Sequence, residues 1–208
     1  MEIENLSKTM SNAINELAKL PGIGERTATR LVMYLIRQDK QYLKKLSESI
    51  DQLSTNLYLC NQCHNVSDTE ICNICSDNTR DYSMLCIVQN IQDLIAIERS
   101  RVYNGYYHVL NGLISPLDGI TPDKIYINDI PQRLHNNEIN EIIFALPATV
   151  EGDTTAYYIF NMLKDFDSLS FSAIARGISI GGNLEYIDEL TLGKAIKNRI
   201  DFSNAIKK

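Results

Sequence analysis

Two closely spaced cysteine pairs, Cys60-Asn61-Gln62-Cys63 and Cys72-Asn73-Ile74-Cys75, constrain this chain more than any other feature. Thiolates two residues apart can close on one cation through a tight turn, and two such turns complete a tetrahedral shell. With eight residues between the pairs, the spacing C-x2-C-x8-C-x2-C fits a small structural site. The expected ligands of one Zn2+ per chain are Cys60, Cys63, Cys72 and Cys75. Residues 65–70 between the pairs are mostly polar, as in a knuckle with no core of its own. Two disulfides are the alternative, which a cytosolic chain disfavours. A closed four-thiolate shell leaves no position for water, so the metal is expected to be structural and not catalytic. His64 abuts a ligand but would make a fifth, and reads as a bystander. The remaining cysteine, Cys86, sits in the apolar run Leu85-Cys86-Ile87-Val88 and reads as a small buried hydrophobe.

Charge divides the chain further. The 208 residues carry 20 Lys/Arg and 26 Asp/Glu, a net of −6, which excludes a uniformly basic coat for nucleic acid. Residues 1–59 hold eight basic and seven acidic side chains, 60–170 hold six and fifteen, and 171–208 hold six and four. An acidic middle between faintly basic ends points to regions with different partners. No apolar run approaches the roughly 18 residues a membrane span needs. The start MEIENLSKTM lacks a basic segment followed by an apolar one, so no secretory signal is expected and the cytoplasm is the expected location.

Apolar residues recur at helical spacing over 5–18 (Leu6, Met10, Ala13, Ile14, Leu17), over the stretch holding Ala28, Leu31, Val32 and Leu35, and over 39–57. Beyond the cysteines the pattern changes. Short apolar runs at 85–89, 106–110, 141–146 and 171–175 alternate with helical stretches near 91–101, 122–136 and 152–165. That alternation predicts a mostly parallel sheet with covering helices. The piece from Thr191 reads as helical again. The expected layout is a helical head over 1–58, a zinc knuckle over 59–80, an α/β body over 81–180 and a C-terminal segment over 181–208.

Leu20-Pro21-Gly22-Ile23-Gly24, between the first two helices, matches a helix-hairpin-helix turn. Its glycines Gly22 and Gly24 permit a tight turn whose N–H groups, with the start of the second helix, form an anion site. A DNA phosphate fits such a site without base readout. At about 100° per residue, Arg26, Arg30 and Arg37 share one stripe roughly opposite the apolar face. A solvated polar face behind a structural turn is the plainer alternative; hairpin and arginines together favour DNA.

With these parts in this order, the chain resembles the RecR family of bacterial recombination mediators. The resemblance rests on the hairpin, the cysteine set and Leu113-Ile114-Ser115-Pro116-Leu117-Asp118-Gly119-Ile120. Thr149-Val150-Glu151-Gly152-Asp153 and the segment from Gly177 to Tyr186 extend it nearly over the whole chain. It implies a Toprim fold for the middle, a ring-shaped oligomer that can encircle DNA, and work with RecO and RecF in loading recombinase at single-strand gaps, near the nucleoid. It also implies DNA contact at Arg26 and Arg30, and an acidic patch for RecO at Glu151 and Asp153. The helices at the head are expected to make subunit contacts through Leu6, Met10, Ile14 and Leu17. The C-terminal stripe of Ile187, Leu190, Leu192, Ala195 and Ile196 is expected either to pack on a neighbour or to complete the chain's own core.

Catalytic Toprim enzymes are the rival class. They need a glutamate at the end of the first strand and a carboxylate pair after a later one to hold Mg2+. Here the first strand ends at Gln89, and Pro147 and Thr149 stand where the pair would be. Gln89 and the Leu146-Pro147-Ala148 run depart from the usual pattern of the RecR family as well. Glu151 and Asp153 alone could still hold Mg2+ weakly. Asp165-Phe166-Asp167 looks like a metal motif but reads as a solvated helix exit. No G-x-x-x-x-G-K-[ST] loop occurs, and the glycines from Gly177 to Gly182 read as a turn. The sequence therefore predicts a non-enzymatic DNA clamp. A knuckle adaptor that binds only protein is a third reading, favoured by the acidic middle and opposed by the arginine stripe.

Overall fold

The apolar repeat of the amino-terminal third folds into three helices: α1 (Lys8–Ala18), α2 (Glu25–Ile36) and α3 (Lys40–Thr55). The computed structural model describes residues 7–136, 139–166, 168–178 and 181–199. The chain divides into two compact units, Met1–Leu57 and Tyr58–Lys208.

In the first unit, Ile14 of α1 packs with Ala28 and Val32 of α2 into a small core, joined by Met10, Leu17, Ala18 and Ile23. Ile14 is thus buried in the chain's own core, and Met10 and Leu17, half-buried, pack against it; Leu6 lies outside the described residues. The spacing argument identified an apolar face but could not say which helix it meets. Asp39 starts α3 by accepting a hydrogen bond from the Tyr42 N–H at 2.7 Å. None of the α3 side chains is buried. Leu46, Ile50 and Leu53 stand 37%, 58% and 62% exposed at spacings of four and three, the seam pattern of a helix that meets another helix, and Leu57, 41% exposed, follows the helix end.

The second unit opens with the knuckle. Strands β1 (Tyr58–Leu59) and β2 (Val66–Ser67) pair antiparallel, and a single turn, α4 (Asn73–Ser76), carries the second cysteine pair. The body then runs β3 (Asp81–Val88), α5 (Ile91–Ser100), β4 (Gly105–Val109), α6 (Ile130–Asn136), β5 (Glu141–Ala145), α7 (Val150–Leu163), β6 (Ser170–Ala173) and α8 (Glu189–Lys197). All four body strands are parallel, in the order β4-β3-β5-β6. Alternate residues of β3 serve opposite faces, as a sheet buried on both sides requires. Leu85 and Ile87 join Ile159 and Leu163 of α7, while Cys86 and Val88 join Leu94 of α5. Cys86 is 2% exposed, a packing residue as expected.

The helix expected over 122–136 is shorter. A 3-10 turn spans Pro122–Lys124, buried Ile125 and Ile127 follow, and α6 begins only at Ile130. Pro131 explains this, since proline has no N–H to donate and fits only the first turn of a helix. Asn90, Thr149 and Asp188 cap the later helices by accepting from the N–H groups of Asp93, Gly152 and Thr191. Helix α7 ends at Leu163, so Asp165 follows a helix exit; Asp167 lies outside the described residues. Gly181 has φ of 84° and sits in a turn, whereas Ser179 and Ile180 lie outside the description. No side chain of α8 is buried, and Leu190 and Ile196 are 69% and 60% exposed. The C-terminal stripe thus leaves these two residues outside the chain's own core. Among the described residues no helix is long and apolar enough to cross a membrane.

Candidate functional site

In the knuckle, the Sγ atoms of Cys60, Cys63, Cys72 and Cys75 lie within 4.8 Å of one another. A tetrahedral zinc with bonds of about 2.3 Å requires sulfurs about 3.8 Å apart, so the four thiols are placed for one ion. Cys63 and Cys72 sulfurs are 3.5 Å apart, too far for a disulfide. The Cys72 N–H donates to Cys60 Sγ at 3.3 Å, a bond that stabilises negative charge on the sulfur. The thiols act on one another, hydrogen bonding between them holding Cys72 below its ordinary value and pushing Cys63 and Cys75 above it; a bound cation takes the place of those protons. Cys60, Cys63 and Cys72 are buried and Cys75 half-buried.

His64 is more than a bystander to the ligands. It takes a left-handed turn, φ 61°, and stacks on Tyr126 with centroids 3.9 Å apart. Its Nε2 lies 2.9 Å from Asp129 Oδ2. With the Val109 N–H donating to the Cys63 carbonyl at 2.9 Å, this fastens the knuckle to the body. His108, buried at the same junction, is hydrogen-bonded to the Tyr126 carbonyl, and burial holds its pKa down to about 3. A neutral histidine there braces the junction without introducing charge.

In the head, Gly22 has φ of 79°, a conformation that penalises any side chain. The Ile23 N–H closes the turn onto the Leu20 carbonyl at 3.0 Å. The Ala28 N–H bonds the Gly24 carbonyl at 2.9 Å, and the N–H groups of Glu25, Arg26 and Thr27 therefore lie at the open end of α2. Arg26 and Arg30 are exposed, as is Arg37, which caps the helix in right-handed conformation. Ala28 and Val32 are buried on the other side. The geometry can hold phosphate: open N–H groups at a helix start, followed by an exposed cationic stripe.

The carboxyl edge of the sheet forms the third region. Gln89 follows β3 and accepts from the Gly112 N–H at 3.2 Å. Thr149 is the cap of α7, its Oγ1 accepting from the Gly152 N–H at 3.1 Å. A Cβ on Gly152 would run into the Pro147 carbonyl oxygen, so glycine is required for this close approach. Glu151 is half-buried. Asp153 is not a bare carboxylate: Arg176 clasps it with both terminal nitrogens, and this pairing holds its carboxyl below the usual range. Arg176 had no signal in the sequence beyond its place just after the fourth apolar run. The Ser115–Ile120 loop is tied in through Thr155, whose hydroxyl accepts from the Ile114 N–H at 2.9 Å and donates to the Glu151 carbonyl at 2.7 Å.

Family profiles match the chain in this order: a RecR helix-hairpin-helix over 10–53, a RecR four-cysteine zinc finger domain over 57–77, a Toprim domain over 83–175 and a RecR C-terminal region over 177–200. Among curated relatives, the chain is 45% identical over 205 residues to the recombination protein RecR of Flavobacterium psychrophilum, covering 99% of each chain. It is 48% identical over 194 residues to that of Amoebophilus asiaticus, covering 93% of this chain and 96% of the other. The figure for Porphyromonas gingivalis is 45% over 201 residues and 97% of both. The four cysteines therefore hold one structural zinc.

Proposed function

Because this chain belongs to the RecR family of recombination proteins, we propose that it is a non-enzymatic DNA clamp in recombinational repair, acting with RecO and RecF to load recombinase at single-strand gaps. The observation that carries this reading is the exposed stripe of Arg26, Arg30 and Arg37 on the helix that follows the hairpin turn. Contacts of that kind grip phosphate and carry no sequence information, as a mediator acting at any gap requires. Self-association into a ring is favoured by the open seam of Leu46, Ile50 and Leu53 on α3, with Leu57 just beyond it, and by exposed Leu190 and Ile196 on α8. A second copy would cover apolar surface that a lone chain leaves wet.

The reading as a non-enzyme rests on the carboxyl edge. A carboxamide such as Gln89 exchanges no proton near neutral pH, Pro147 has no ligating side chain, and the Thr149 hydroxyl is engaged in capping α7. Incubation with nicked, supercoiled and primed DNA plus Mg2+ should leave every covalent bond in the DNA unchanged. Cleavage, relaxation or synthesis by the purified protein would return the enzyme reading.

Glu151 and Asp153 are proposed as the face for RecO. Charge reversal, Glu151→Lys with Asp153→Lys, should weaken RecO association at least tenfold and spare DNA binding, both read by titration of labelled components. Loss of DNA binding with RecO association intact would refute this division. Because Asp153 is already paired with Arg176, Glu151→Lys alone should account for most of the loss.

A further inference from the structure

A cleft of about 240 Å3 lies where the knuckle meets the amino edge of the sheet, with Gln62, Asn78, Tyr82, Tyr106 and Arg133 in its lining. It stands at the other end of the strands from the carboxyl edge: Tyr82 is the second residue of β3 and Tyr106 the second of β4. Tyr82, 45% exposed, stacks on Tyr106 with centroids 5.0 Å apart and planes inclined by 29°. Both rings are tied down. The Tyr82 hydroxyl donates to Asn78 Oδ1, and the Tyr106 hydroxyl donates to the Asp77 carbonyl, each at 2.9 Å. Side chains fixed before a ligand arrives lose little entropy on binding it.

The polar lining has a particular chemistry. Gln62 and Asn78 bring carboxamides, whose adjacent donor and acceptor match the edge of a nucleobase. Arg133, the one cationic side chain among the described lining residues, is positioned by donating to the Tyr107 carbonyl. In a stretch with six basic and fifteen acidic residues, a cleft lined by a guanidinium and two tyrosine rings is set apart from its surroundings. Aromatic platform, carboxamides and guanidinium together are the means by which proteins hold unstacked bases and their phosphates. The volume is below the roughly 300–1,000 Å3 of pockets for drug-sized ligands, which fits one nucleotide and not two.

We propose that this cleft binds a single unstacked nucleotide, with its base against Tyr82 and its phosphate toward Arg133. A single-stranded gap offers such bases, but the site does not depend on the hairpin and can be probed without it. The test is saturation-transfer NMR on the full-length, zinc-loaded protein with deoxyadenosine 5′-monophosphate. Transfer to the base protons is expected, with weak affinity. Tyr82→Leu should weaken binding about tenfold or more, the effect of removing a stacking ring, while Tyr82→Phe retains most of it. Tyr157→Leu, at a 68% exposed tyrosine on α7, should change nothing. Zinc content and thermal midpoint, measured on each variant, show that the fold is kept. Absence of transfer to the base, or equal transfer in the Tyr82→Leu variant, overturns the proposal. The clamp reading is tested separately: Arg26→Glu with Arg30→Glu should weaken binding of gapped DNA by about two orders of magnitude and leave the mononucleotide signal intact.

Discussion

Replacing Cys72 with serine is expected to empty the knuckle of metal and to loosen the whole second unit. Three of the four ligands are buried, and the cluster around them consists of the cysteines themselves with Ile74. With strands of two residues each, the knuckle has no apolar core to hold it once the ion is gone. Structural zinc contributes about 10–16 kcal/mol to folding in isolated finger peptides. Losing even a third of the lower figure is about 3 kcal/mol, or a thermal midpoint about 6–12 °C lower for a chain of this size. The loss spreads because the Cys63 carbonyl accepts from Val109 on the edge strand and His64 stacks on Tyr126. Metal analysis should give one zinc per chain in the parent and about none in Cys72→Ser. Cys86→Ala removes a thiol that packs against α5 and should keep its zinc. Equal zinc in the parent and Cys72→Ser would refute the assignment of ligands.

Arg26→Glu with Arg30→Glu is expected to reduce DNA affinity by about two orders of magnitude at 0.1 M salt. Each phosphate contact contributes about 0.9 to the slope of log affinity against log salt and about an eightfold gain at that concentration. Removing two per chain should flatten the slope by about 1.8, and the reversed charges add repulsion. Both side chains are exposed on α2 and stand apart from the core of Ile14, Ala28 and Val32, so helix content should be unchanged. Fluorescence anisotropy over a salt series reads both affinity and slope. An unchanged slope would remove these arginines from the phosphate contacts. A limited set of such contacts would let a protein of net −6 hold DNA, because fifteen of its 26 acidic side chains lie in residues 60–170 and the arginine stripe lies on the head.

The zinc site and the arginine stripe were legible from the chain because each depends on residues near one another in sequence. Two cysteine pairs twelve positions apart, Cys60 with Cys72 and Cys63 with Cys75, declare themselves by spacing, and Arg26, Arg30 and Arg37 by the helical period. The strand-helix alternation was legible for the same reason, since burial on both faces leaves continuous apolar runs. The helix expected over 122–136 is confined to Ile130–Asn136, because Pro131 outweighs apolar content.

Other features were settled only when distant segments met. Met10, Ile14 and Leu17 form an apolar face by period alone, and only the fold shows that it meets α2. Asp153 met Arg176 because β6 lies beside β5, bringing the residues after it against the start of α7. Tyr82 stacks on Tyr106 because β3 and β4 run parallel and side by side. The sequence by itself determined the metal, its four ligands, the cationic helix and the class of fold, because spacing and period are local properties. Tertiary structure decided which carboxylate is neutralised, which apolar faces remain open and where two tyrosines make a platform. Those outcomes depend on strand order and register, which bring together residues that carry no mark of one another in the chain.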